Sequence, residues 1–106
     1  MKLKFDIRDA NKVKDRLACL DRPMLGKIHW GDLPKDDPRV NAYILQGSVG
    51  NPVVWEIRML SWGSLDADGH KLKYSVGKQG SSDFTDCVSV DQVMGIITKG
   101  DIQQND

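Results

Sequence analysis

The first eight positions alternate. Leu3, Phe5 and Ile7 fall on one side of an extended chain, and Lys2, Lys4, Asp6 and Arg8 on the other, which predicts a strand. The period then lengthens. Ala10, Val13, Leu17 and Leu20 recur at helical spacing, with Lys12, Lys14, Asp15 and Arg16 turned outward. A helix is therefore expected from about Ala10 to Asp21, capped by Asp9 and stopped before Pro23.

The rest of the chain reads mainly as strands. Leu25–Trp30, Arg39–Gln46, Val53–Trp62 and Lys71–Val76 carry the apolar, β-branched and aromatic residues that strands favour. Between them lie the two-proline loop Gly31–Pro38, the turn Gly47–Pro52 and the turn Asp66-Ala-Asp-Gly69. A Gly/Ser-rich loop is expected over Gly77–Asp86. Ser89-Val-Asp-Gln92 has capping-box spacing and predicts one helical turn, after which Val93–Lys99 reads as a last strand. Short connections make neighbouring strands antiparallel. The expected fold class is α+β: one N-terminal helix packed on a curved antiparallel meander of five to six strands, a partly open barrel. The 106 residues fit a single α+β domain.

Composition sharpens this picture. The chain has 14 Asp and a single Glu, Glu56, together with 10 Gly. Asp and Gly favour caps and turns, so many turns and few helices are expected. The 15 basic and 15 acidic residues cancel. Residues 1–39 are mildly basic and residues 40–106 mildly acidic, a split compatible with head-to-tail self-association but more simply a mixed solvated surface. Nucleic-acid binding is not expected, because it runs on a basic surface. No apolar run reaches the ~20 residues that span a membrane, and the first residues lack the apolar core of a signal peptide. Cys19 and Cys87 are expected to be reduced thiols of a cytoplasmic protein.

Chemistry-bearing motifs are sparse. There is no Gly-x-Ser-x-Gly elbow, no Cys-x-x-Cys and no His-x-x-x-His. Two cysteines with His29 and His70 pair by chance alone often enough that a Cys–His dyad carries little weight. Asp66-x-Asp68-Gly69 has the opening of an EF-hand loop without its later ligands, so a hairpin turn is expected there. Asp32, Asp36 and Asp37 form an acidic loop between prolines. Gly77-Lys-Gln-Gly80-Ser-Ser82 lacks Walker spacing. No metal and no cofactor are expected.

The segment Val53–Trp62 is the most informative. Val53, Trp55, Ile57 and Met59 share one face, expected to be core. Val54, Glu56, Arg58, Leu60 and Trp62 share the other, which is apolar at its ends and charged in its middle. Glu56 and Arg58 are placed to pair. Three readings follow: a half-exposed face with a surface salt bridge, a ligand pocket that also draws on Trp30 and His29, or a subunit interface, since Trp and Arg concentrate at binding hot spots. The sequence favours a non-enzymatic binding domain that self-associates as a homo-oligomer through Glu56, Arg58 and Trp62, with Trp30 and His29 nearby. A small-molecule or enzyme pocket around Glu56 and Arg58 is the alternative, and a protein partner fits the same face.

Val53-Val-Trp-Glu-Ile57, the turn at Asp66–Gly69, Tyr74-Ser-Val76 and Val88–Ile97 together resemble the closing half of signal-peptidase-type serine proteases. The resemblance covers less than half of the chain. Trp55 and Glu56 stand where that family places its base, and no Ser-Met nucleophile segment precedes them. It implies a strand-rich barrel and does not carry over proteolysis.

Overall fold

A computed structural model describes residues 5–25, 42–61 and 63–104 of the chain. Helix α1, Ile7–Ala18, comes first. Strands β1 (Met24–Leu25), β2 (Ala42–Leu45), β3 (Trp55–Met59), β4 (Tyr74–Lys78) and β5 (Phe84–Cys87) follow, and helix α2 (Val90–Gln104) closes the order. The strands pair antiparallel in sequence order, β1-β2-β3-β4-β5. The fold is α+β, an open antiparallel sheet of five strands, with two helices among the described residues where one was expected.

Ile7 and Arg8, the end of the expected first strand, begin α1, and residues 2–4 of that expectation lie outside the described residues. Asp6, not Asp9, is the cap: its backbone is extended and its Oδ1 accepts the Arg8 N–H at 2.8 Å. Phe5 precedes the cap and Ala10 lies at the fourth helical position, the spacing of a hydrophobic staple, and both are buried in one cluster. Phe5 is thus apolar because it staples a helix. The Arg8 guanidinium also bonds the cap carboxylate and holds Asp6 down at about 2. Asp9 is buried in the first turn, 3.5 Å from Lys73 Nζ. The helix ends at Ala18, three residues before the expected Asp21, with Cys19 as its C-cap.

Two further expectations fail toward the end of the chain. The stretch Gly77–Asp86 is not one loop. β4 runs on through Lys78, a turn with Gly80 at φ +84° follows, and β5 begins at Phe84. Val93–Lys99 is not a strand but the body of α2. Ser89 caps fifteen residues of helix, with the Gln92 N–H donating to Ser89 Oγ at 3.3 Å, while the Gln92 side chain reaches one residue past the cap and its Oε1 accepts the Val88 N–H at 2.8 Å. The β-branched run Ile96-Ile97-Thr98 favours a strand locally, yet Val93 and Ile97, four apart, are both buried in the core. Cap and packing outweigh local propensity. The final strand of the protease resemblance, Val88–Ile97, is therefore absent.

Both helices cover one face of the sheet. Tyr43, Ile57 and Val76 stand in register across β2, β3 and β4, and all are buried with Val13, Leu17, Val93 and Ile97 in one core. The expected core side of β3 holds: Trp55, Ile57 and Met59 are buried. Two buried phenols fasten α1, since Tyr43 O–H donates to the Ala10 carbonyl at 3.2 Å and Tyr74 O–H to the Asp9 carbonyl at 3.0 Å. Burial, with nearby carboxylates, pushes both phenols above their ordinary pKa.

Arg22, between α1 and β1, ties the distant parts together. Its side chain is only 3% exposed. It donates from Nε to the Gln46 carbonyl at 3.0 Å, from Nη2 to the Val53 carbonyl, and from Nη1 to Asp101 Oδ2 at 2.5 Å. Asp101 Oδ1 accepts the Trp55 indole N–H at 3.0 Å. The Trp55 ring lies against Gly100, where a Cβ would collide with it.

Two substitutions test this arrangement by urea unfolding. Asp101→Ala leaves a buried guanidinium without its carboxylate and is expected to cost about 3–5 kcal/mol. Gly100→Ala pushes α2 off Trp55 and is expected to cost about 1–3 kcal/mol. Losses within 0.5 kcal/mol of zero for both, roughly the surface-substitution level, would refute the clamp.

Candidate functional site

The face of the sheet opposite the helices carries the mixed chemistry. Alternation along β3 puts Glu56 and Arg58 there, and the register adds neighbours from the other strands. One cross-strand row runs Leu25, Ile44, Glu56, Gly77, Phe84, and the next runs Ala42, Arg58, Ser75, Asp86. Glu56 is 6% exposed, and Ala42, Ile44 and Ser75 are also buried. Leu25 and Asp86 are exposed.

Glu56 and Arg58 do pair: Arg58 Nε donates to Glu56 Oε2. The Arg58 guanidinium carbon sits 3.9 Å above the centroid of the Phe84 ring. Phe84 in turn lies over Gly77, where a Cβ would come within 2.9 Å of two ring carbons and 2.8 Å of the Asp83 carbonyl. Glycine leaves room for the ring, and the ring covers backbone that glycine exposes. The result is a stack: backbone at Gly77, aromatic ring, guanidinium, with the carboxylate of Glu56 at its side. Cation–π attraction and a charge-assisted hydrogen bond hold the guanidinium in one orientation.

The structure thus brings two of the predicted site residues together, Glu56 and Arg58. Trp62, Trp30 and His29 lie outside the described residues, as do Asp32, Asp36 and Asp37. Phe84 and Gly77 escaped sequence reading because both were assigned to a loop. A glycine at the end of an alternating strand and an aromatic shortly after the turn was the available signal.

Other reactive groups are engaged in structure. Asp66 Oδ1 accepts the N–H groups of Asp68 and His70 at 2.9 and 2.8 Å, and Oδ2 lies 3.2 Å from His70 Nδ1. The backbone bond from His70 leads in lowering the Asp66 pKa. Gly69 at φ +82° and the Leu65–Lys71 bridge complete the expected turn. Ligand atoms of Asp66, Asp68 and His70 lie within 4.8 Å of one another, the separation a cation would need, but the turn's own hydrogen bonds account for the cluster. A cleft of about 590 Å³ opens beside it, toward Leu72, Val88 and Gln92.

Both cysteines are free thiols, Cys19 exposed and Cys87 buried. Burial, then the charge of Asp86, pushes the Cys87 thiol up to about 11, and its S–H points to the Thr85 carbonyl at 3.6 Å. Such a thiol is a poor nucleophile at neutral pH. Among the described residues, no helix is long and apolar enough to cross a membrane.

Three measurements follow. Gly77→Ala is expected to cost about 1–3 kcal/mol in urea unfolding, because ring or strand must shift. At pH 7.5 a disulfide reagent is expected to titrate one thiol, Cys19, in the folded protein and two in urea; two fast thiols in the native state would contradict the burial of Cys87. Cys87 releases its proton at 9.0 when unfolded and at about 11 when folded, and Tyr43 and Tyr74 shift in the same direction. The unfolded chain therefore loses protons first, and stability is expected to fall as pH rises from 9 through 11. No protein-family model, curated protein or solved structure matches the chain.

Proposed function

We propose that the chain is a non-enzymatic interaction domain that self-associates through the face of its sheet opposite α1 and α2. One observation carries the reading. Arg58 and Asp86 flank the buried Ser75 in a single cross-strand row. A two-fold axis over Ser75 would set Arg58 of each copy against Asp86 of the other, so the face is complementary to itself. Strands lie ~4.8 Å apart, so the two charges stand roughly 10 Å apart along the row. The stack on Phe84 supports the reading further, because a guanidinium already held in place loses little freedom on binding. Exposed Leu25 supplies apolar surface on the neighbouring row.

The Glu56–Arg58 pair is less suited to a small ligand. Arg58 already answers the Glu56 carboxylate, and a ligand would have to displace it. The clefts beside the Asp66–Gly69 turn and along α2 are lined by other residues.

Light scattering on a sizing column tests the proposal. The native chain is expected to run as a dimer at tens of micromolar and Asp86→Lys as a monomer with unchanged thermal stability. A strictly monomeric native chain at that concentration sinks the proposal.

A further inference from the structure

Helix α2 contains two glycines with opposite circumstances. Gly100 is needed, because the Trp55 ring occupies the space of its side chain. Gly95 is exposed, and a Cβ built there meets nothing within 4 Å. Apart from proline, glycine is the least favourable residue for a helix interior. Among the described residues, no contact compensates for it at position 95. A local rule broken without internal compensation points to use of the space itself.

Two clefts meet at that space. One, of about 560 Å³, is lined by Met94, Thr98 and Ile102, and the other, of about 310 Å³, lies between α2 and β5 and reaches Thr85, Asp86, Cys87 and Ile96; Gly95 and Lys99 line both. With no side chain at 95, the ridge of α2 is interrupted and the clefts form one trough. Its far wall is β5, which among the described residues is the edge of the sheet, paired with β4 on one side only. Lys99 stands one helical turn beyond Gly95 and makes no ion pair among the described residues, whereas Arg16, Arg22 and Lys73 all do.

We infer that this trough binds an extended peptide segment of another protein, which adds as a sixth strand beside β5, places an apolar side chain over Gly95 and sets an acidic side chain against Lys99. The spacing fits. Positions four apart on a helix face are roughly 6 Å apart, and same-side positions two apart on a strand roughly 6.6 Å. The recognised pattern is therefore apolar-x-acidic. An edge strand beside a groove is a recurrent means of peptide capture, with the backbone supplying affinity and side-chain pockets supplying selectivity.

The test uses the full chain against an array of blocked heptapeptides with every apolar/acidic spacing. Peptides with apolar-x-acidic spacing are expected to be enriched. The best of them should bind Gly95→Leu and Lys99→Glu at least ten-fold more weakly than the native chain. Leucine favours a helix over glycine, so Gly95→Leu is expected to keep or raise the melting temperature, which separates blocking from unfolding. Amide exchange over 84–87 should slow in the complex. Absence of enrichment, equal binding by both variants, or unprotected β5 amides would each overturn the proposal. So would a Gly95→Leu protein that loses the native oligomeric state, which would make the occupant a second copy. Asp86 also lines the α2–β5 cleft, so the separation comes from the other side: Gly95→Leu and Lys99→Glu leave Arg58 and Asp86 in place, and lost peptide binding with the native oligomeric state kept tests the trough alone.

Discussion

A guanidinium withdrawn from water must be answered on every side, and Arg22 shows what that requirement does to a small fold. Its donors reach the end of β2, the segment before β3 and a carboxylate on α2. Asp101 then passes the constraint to the Trp55 indole, and the indole to Gly100. Once this charge is buried, the approach to the sheet after α1, the turn between β2 and β3 and the C-terminal helix have little freedom relative to one another. The apolar core could accommodate other arrangements of similar area, because hydrophobic burial is non-directional. The directional bonds of Arg22 and Asp101 select one.

Selection on the helix side leaves the opposite face of the sheet for other work. Buried Ala42, Ile44 and Ser75 surround a charged pair that the sheet itself orients. Phe84, the first residue of β5, gives Arg58 a platform, and Gly77 makes room for the platform. The groups that hold the face together also set opposite charges, Arg58 and Asp86, on the two sides of Ser75. The edge at β5 offers a different chemistry: backbone paired on one side only among the described residues, and an apolar trough that also carries Asp86 and Lys99. The two surfaces share a strand, so occupation of one is positioned to influence the other through Asp86 and Thr85.

Much of the fold and part of the site were legible from local pattern. The core faces of α1 and β3 followed from spacing, because 3.6-residue and two-residue periods are geometric properties of the backbone. The Glu56–Arg58 pair followed from the same rule. Where alternation covered only a few residues it misled. Phe5 and Ile7 alternate like a strand and serve as staple and first turn of a helix. Phe84–Cys87, four residues with an exposed middle, gave no period to read.

What the sequence alone determined is the α+β class, the helix face at Ala10, Val13 and Leu17, the hairpin turn at Asp66–Gly69 and the sharing of one strand face by Glu56 and Arg58. All of these rest on contacts between near neighbours. Tertiary structure alone decided that Val93–Lys99 is helical, that β5 exists, that Phe84 lies on Gly77 and that Arg22 meets Asp101. That last pair is 79 residues apart along the chain. Local propensities differ by only about 1 kcal/mol, so a buried charge pair or a filled core position overrides them, and neither can be seen until the chain has folded back on itself.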